Sequence, residues 1–282
     1  MRTGYIAVLF TVSIWGLTFV STKVLLASLT PVEILFIRFL IGALVLFIVF
    51  PHRLKTKGWQ EEKYFIAAGC TGVFLYYFLE NVSLLWTTAS NAGVIVSTAP
   101  FFTALFSSER KSKWFYLGFA AAIAGIAMMS VSSIEFSSES LLGDALALGA
   151  ATVWGIYAVL TRKIGMFGYS GIQTVRRSFL YGLIFIAIPL LFWNNFGENR
   201  DFLSPSISLN LAFLGIAASA LCFVLWSVAV SKLGAVKTSV FIYLTPVITV
   251  IASAFFLQES ITLLSACGTA LTLLGLLLSS SK

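Results

Sequence analysis

The sequence predicts an all-α integral membrane protein: ten transmembrane helices arranged as two inverted five-helix repeats. Three observations predict it. Of 282 residues, 59% are hydrophobic and only 10% charged. Soluble domains average about 25% charged residues, and a water-soluble core could not hide this much apolar surface. The apolar residues gather in ten runs, each near the roughly 20 residues that cross a bilayer core. Finally, Trp15-Gly16 with Thr22 and Lys23 returns as Trp154-Gly155 with Thr161 and Arg162, all displaced by 139.

The runs cover 4–26, 31–50, 64–86, 88–107, 114–132, 142–161, 169–193, 207–231, 235–257 and 261–279. The first opens "MRTGYIAVLF" like a signal sequence. Its apolar stretch continues to Leu26 with no small-residue cleavage site behind it, so it is expected to remain as a helix. The second run carries Glu33 and Arg38, and the third carries Glu80. The fourth and ninth are interrupted by Pro100 and Pro246, each of which frees a carbonyl one turn back and so suits a hinge. The fifth and tenth hold Gly118 with Ala122 and Gly268 with Thr272, small faces that suit close helix packing within or between protomers. Cys70, Cys222 and Cys267 lie inside apolar runs and read as packing residues rather than disulfides.

The loops set the orientation, because Lys and Arg concentrate on the cytoplasmic side. With the N-terminus inside, the inner segments collect Arg2, Arg53, Lys55, Lys57, Lys63, Arg110, Lys111, Lys113, Arg162, Lys163, Lys232, Lys237 and Lys282. The outer loops hold Arg200 alone, with Glu135, Glu139, Glu198, Asp201 and Glu259. Both termini are therefore expected in the cytoplasm and the chain in the cytoplasmic membrane. The net charge of +7 belongs to these short loops, and nucleic acid is not an expected partner.

The repeat extends beyond the tryptophans. The third and fourth runs match the eighth and ninth at a displacement of 146, taking Gly69 to Gly215 and Pro100 to Pro246. The fifth and tenth match at 150, taking Glu109 to Glu259 and Gly125 to Gly275. Units of 1–133 and 141–282 follow. Five spans in each unit invert the second against the first, which places a site at the midplane between them and favours alternating access.

Both halves carry one pattern: "SIWGLTF" with "TVWGIYA", "IRFLIGAL" with "VRRSFLYGL", "STAPFFTAL" with "YLTPVITVI". The closing "SSERKSKWFYLGFAAAIAGI" pairs with "FLQESITLLSACGTALTLLGL". On these motifs the chain resembles the ten-helix, EamA-type members of the drug/metabolite transporter superfamily. The resemblance implies a secondary transporter of amino acids or related small metabolites, commonly an exporter. It also supports a structural role for the intramembrane arginine, since an arginine here is usual among such transporters of differing substrates.

Charged groups inside spans are candidates for function. Glu80 shares a helix face with Tyr76 and Ser83, and its counterpart at 146 is Trp226, so the scaffold does not require the charge. A deep carboxylate is protonated, paired or hydrated by a cavity. It would bind a substrate amine or carry a proton. Arg38, Arg176 and Arg177 read either as structural or as contacts to a substrate carboxylate or phosphate. Lys23 and Glu33 flank a short outer turn, where they snorkel or pair. Trp15, Thr18 and Thr22 lie on one face, repeated by Trp154, Tyr157 and Thr161. These faces either wall a solute cavity or bind helices together. The residues expected to line one cavity are Trp15, Thr18, Thr22, Tyr76, Glu80, Ser97, Trp154, Tyr157, Trp226 and Tyr243.

The partners implied are a small solute, membrane lipids and protons, with no cofactor or metal and no catalytic residues. An anionic metabolite held by the arginines is the alternative substrate. A membrane-embedded enzyme fits poorly, because the sole histidine, His52, lies in a basic loop and no nucleophile, base and metal set assembles. The oligomeric state is open.

Overall fold

The computed structural model describes residues 2–107, 112–132, 138–192, 202 and 204–280. The calls on Glu109, Arg110, Lys111, Glu135, Glu198, Arg200, Asp201 and Lys282 lie outside them.

The described residues form ten helical rods: α1 Arg2–Leu25, α2 Pro31–Val49, α3 Trp59–Trp86, α4 Ala89–Phe106, α5 Lys113–Ser132, α6 Ser138–Gly165, α7 Gly171–Phe192, α8 Pro205–Leu233, α9 Ala235–Phe256 and α10 Leu263–Ser280. Eight of them, α1–α4 and α6–α9, are long and apolar enough to cross a membrane. Helices are what such segments form, because in lipid every backbone donor and acceptor must be satisfied internally. Side chains such as Ile48, Phe192, Phe255 and Leu263 point outward and stand exposed. Arg38, Glu80, Thr22 and Ser97 lie fully inside. The chain is apolar outside and partly polar within.

Four rods are irregular, in matching places. In α3 the stretch Gly69–Leu75 is a π-helix, and in α8 the stretch Phe213–Leu221 is another. In α4 the helix breaks at Ser97 and Thr98, just before Pro100, where the Thr98 amide falls back to the Ile95 carbonyl at 3.0 Å. In α9 the stretch Val240–Leu244 tightens to a 3₁₀-helix just before Pro246. Proline cannot donate to the preceding turn, so the helix tightens ahead of it.

Contacts between the rods also come in pairs. A Cβ at Gly16 of α1 would stand 2.7 Å from Ile248 Cβ of α9, and one at Gly155 of α6 would stand 2.7 Å from Phe102 Cβ of α4. A Cβ at Gly215 of α8 would stand 2.6 Å from Ile41 Cβ of α2, and one at Gly69 of α3 would stand 2.7 Å from Tyr181 Cβ of α7. Each pair joins residues displaced by about 140 to residues displaced by 146. The α5 and α10 rods pack chiefly on one another, along the glycine and threonine faces read from the sequence.

The displacement of 139 read for the first two helices against the sixth and seventh pairs Arg38 with Arg177. Gly42 approaches the Gly215 carbonyl as Gly182 approaches that of Gly69, so α2 matches α7 at 140. Arg38 therefore corresponds to Ser178, not to Arg177.

Two ends of the bundle are defined by polar contacts. At the acidic end, Lys23 donates to the carbonyls of Leu84 and, at 2.9 Å, Thr87. There Thr87 also donates to Asp144 at 2.6 Å, and Glu259 accepts from the Ala89 amide at 2.9 Å and the Ser90 hydroxyl at 2.6 Å. Glu33 closes a capping box with Thr30 at the start of α2. At the basic end, Arg176 donates to the carbonyls of Phe50 and His52, and Arg177 pairs with Glu62 at 2.7 Å.

Candidate functional site: an aromatic cavity beside two buried charges

The two Trp-Gly helices meet at the centre. Trp15 lies 5.1 Å from Trp154, ring centre to ring centre, with the planes at 89°. Trp226 completes the group at 5.2 Å from Trp15 and 5.6 Å from Trp154. Tyr76 and Tyr157 flank Trp154 at 4.8 and 5.0 Å. Edge-to-face pairs of this kind add about 0.5–1.5 kcal/mol each beyond area burial. The glycine after each tryptophan lets its helix sit against α9 or α4 and so brings both rings inward.

A cavity of about 380 Å³ opens against this group, lined among others by Trp15, Thr18, Tyr76, Tyr77, Trp154 and Thr245. Its walls come from α1, α3, α4, α6 and α9. The Trp15 indole donates to the Ala218 carbonyl at 3.0 Å, inside the π-helical stretch of α8. The buried indole nitrogens of Trp154 and Trp226 and the Thr245 hydroxyl have no protein partner. Buried donors without partners are rare and costly, about 1–3 kcal/mol each. Trp154 and Thr245 line the cavity, where a bound solute can satisfy them.

Two charges stand behind the tyrosines. Arg38 is 0% exposed and Glu80 1%. The Arg38 guanidinium lies over the Tyr77 ring at 4.2 Å, and its Nε donates to Ser219 at 3.2 Å. Both terminal nitrogens lack a hydrogen-bond partner, and the Tyr76 hydroxyl approaches the Glu80 carboxylate as a donor. Arg38 and Tyr76 are the side chains electrostatically coupled to Glu80.

The other residues named from the sequence are distributed as follows. Tyr157 and Thr161 line a second cavity of about 240 Å³ toward the basic end, with Thr174, Ser178 and Ser227. Trp226 is packed behind the first cavity and does not face it. Thr22 is fully buried with its hydroxyl unpartnered, and Ser97 bonds back to its own helix. Tyr243 packs against Ala122 of α5, away from the tryptophans. Pro100 and Pro246 follow the two irregular turns. Arg176 and Arg177 serve the α2–α3 loop and do not approach the cavity.

Sequence reasoning missed four residues. Tyr77 and Thr245 line the cavity, and Phe223 touches Trp15, Tyr77 and Tyr157. Asp144 is buried against Thr87 at the acidic end. Of these, Thr245 carried a signal in its place directly before Pro246, and Asp144 carried one as a carboxylate inside the 142–161 run.

A bundle of apolar helices, eight of them long enough to cross a membrane, around a small central cavity suits a membrane transporter. Comparison with known proteins makes the class specific. The EamA-like transporter family matches residues 2–131 and again 141–281, and the chain belongs to that family. It is thus a transporter and not an enzyme. An uncharacterized transporter of Archaeoglobus fulgidus is 28% identical across 96% of this chain and 95% of its own length. The uncharacterized transporter YvbV of Bacillus subtilis is 28% identical across 97% and 90%. A probable terminal-alkyne amino-acid exporter of Streptantibioticus cattleyicolor is 27% identical across 74% of this chain and 70% of its own. A solved crystal structure shares the fold with a TM-score of 0.67 at 18% identity, covering 99% of this chain and 95% of that one.

Proposed function

We propose that the protein is a secondary transporter that exports amino acids or related small metabolites across the cytoplasmic membrane by alternating access. Its ten helices cross the membrane as two inverted five-helix units, with the basic end and both termini in the cytoplasm. The observation that carries this reading is the paired set of contacts around one central cavity. Gly16 meets α9 as Gly155 meets α4, and Gly215 meets α2 as Gly69 meets α7. Halves joined by equivalent contacts can exchange their arrangements and so open the cavity to either side. Matching irregular turns before Pro100 and Pro246 supply places for that change. The concentration of Lys and Arg at one end supports the orientation. The relative named an amino-acid exporter supports the substrate class.

A second reading is favoured by one observation: the unpartnered terminal nitrogens of Arg38 suit an anionic metabolite. Purified protein in liposomes loaded with labelled amino acids, or with labelled mono- and dicarboxylates, separates the two. Saturable efflux of amino acids that falls at least ten-fold in Trp154→Ala is the expected result. Efflux of carboxylates alone selects the second reading, and efflux of neither overturns both.

A further inference from the structure

We infer that Glu80 is a proton-carrying site, loaded and emptied through the Tyr76 hydroxyl and a water in the central cavity, and that solute movement is coupled to it. The inference rests on the transporter reading above and adds its driving ion, whatever the solute.

Glu80 is 1% exposed and lines neither cavity. Its link to open space is Tyr76, one turn earlier on the same face of α3. The Tyr76 side chain lines the central cavity, and its hydroxyl approaches the Glu80 carboxylate as a donor. The space left open in that cavity holds about one water, and a proton needs no more. Water, phenol and carboxylate then form a relay. A proton on the water passes to the Tyr76 oxygen as the phenol's own proton passes to Glu80, and the phenol ends neutral. Release reverses both transfers.

Both protonation states have support. Ionised, the carboxylate accepts from Tyr76 and has the Arg38 cation of α2 in electrostatic reach. Protonated, it has no charge to keep out of water. A structural ion pair would hold the ionised state alone by closing a direct bridge. Here the Arg38 guanidinium rests on the Tyr77 ring at 4.2 Å, its Nε donates to Ser219, and its terminal nitrogens make no bond to Glu80. The other ionisable groups on the surrounding helices are engaged elsewhere. Lys23 of α1 donates to the Leu84 and Thr87 carbonyls, Glu33 of α2 caps its own helix, and Asp144 of α6 accepts from Thr87. Tyr157 of α6 turns to Thr161 in the second cavity, and α4 carries no ionisable side chain. Nor does the scaffold require the carboxylate, since its counterpart in the second half is Trp226. A buried carboxylate with one neutral donor on its cavity side is what a proton relay through a membrane uses.

The test is infrared difference spectroscopy of the protein in nanodiscs between about pH 5 and pH 9, the range in which buried carboxyls titrate. The wild type is expected to gain the band of a protonated carboxyl as pH falls, and Glu80→Gln to lack it. Glu80→Asp keeps the carboxyl and should keep the band at a shifted position, which serves if the first variant fails to fold. In Tyr76→Phe the band should still form after a pH jump, but about ten-fold more slowly, because the relay is broken. A packing role for Tyr76 would leave that rate unchanged, and an unchanged rate overturns the relay. No such band in the wild type, or the same band in Glu80→Gln, overturns the proton site. In liposomes, an acid exterior should speed efflux of labelled amino acids by the wild type several-fold and leave Glu80→Gln indifferent. Wild-type efflux that ignores the gradient means that the transporter reading stands and the coupling alone fails.

Discussion

The two ends of the bundle present the same set of positions in opposite states. At the basic end, Tyr157, Thr161, Ile164, Thr174, Val175, Ser178 and Ser227 line a cavity of about 240 Å³. Their counterparts toward the acidic end are Thr18, Thr22, Leu25, Ile34, Leu35, Arg38 and Asn81. Of these, Thr18 is 4% exposed and the other six are 0%. Six of the basic-end residues are themselves only 3–8% exposed, so the seven equivalent positions frame a small cavity at one end and a closely packed core at the other. The seal has identifiable parts. Arg38 fills the volume that Ser178 leaves open, and Lys23 ties α1 to the α3–α4 corner while Glu259 caps the start of α4. On the proposed alternating-access reading, these polar contacts are the latches that hold the acidic end shut.

The largest expected effect is on access. With Cys70, Cys222 and Cys267 replaced by alanine, Ser227→Cys and Asn81→Cys should differ in labelling by a membrane-impermeant maleimide in nanodiscs, where both faces are open to reagent. The Lys23 bonds are charge-assisted and worth about 1.5–3 kcal/mol. At about 1.4 kcal/mol per decade, labelling at position 81 should be roughly 10–100-fold slower than at 227. Equal rates would remove the contrast between the ends.

Lys23→Met keeps the length of the side chain and removes the donor to Leu84 and Thr87. It should recover about ten-fold of the labelling at position 81 if those bonds hold the acidic end shut. Glu259→Gln is milder. A charge at a helix N-terminus contributes about 0.3–1 kcal/mol, so the same labelling should rise only about two- to five-fold. If Glu259→Gln acted more strongly than Lys23→Met, the latch would lie in the α9–α10 loop instead.

These expectations also show which parts of the molecule the sequence discloses. Rare residue types in register carried the paired contacts: Trp15 with Trp154, Gly16 with Gly155, Pro100 with Pro246. The match of α2 to α7 was misread by one residue because Arg176 and Arg177 stand side by side and either resembles Arg38. Phe39 with Phe179, and Gly42 with Gly182, give the displacement that the packing obeys. Tyr243 was assigned inward on a regular helical period, but the 3₁₀ stretch over Val240–Leu244 turns by 3.0 residues, and the ring meets Ala122. The π-helical stretches left no trace in composition, although one of them supplies the carbonyl that orients Trp15. Asp144 was visible as a carboxylate near the start of a run, but its partner Thr87 is 57 positions away. Local period and residue type were readable; side-chain direction past an irregular turn was not.

The smallest expected effect tests whether the equivalence reaches single hydrogen bonds. Thr249 of α9 donates to the Gly16 carbonyl at 2.8 Å, joining the two halves next to the glycine contact. That hydroxyl also lies 3.0 Å from the Thr245 carbonyl of its own helix; its counterpart Thr103 of α4 likewise donates to Ala99 of its own helix at 3.0 Å and accepts from Ser239 of α9 at 3.4 Å. Valine is nearly the same shape as threonine, so each substitution removes the hydroxyl and little else. Thr249→Val loses a buried bond between halves and should lower stability by about 0.5–1.5 kcal/mol. Thr103→Val loses a bond back to its own helix and only the long bond from Ser239, and its cost should fall below about 0.5 kcal/mol. Thermal unfolding of both variants in detergent measures the difference. A lower midpoint for Thr249→Val, with Thr103→Val near the wild type, means that the α1–α9 contact is held more firmly than the α6–α4 contact. That inequality agrees with a seal at the acidic end, and equal midpoints would leave the seal to Lys23, Arg38 and Glu259.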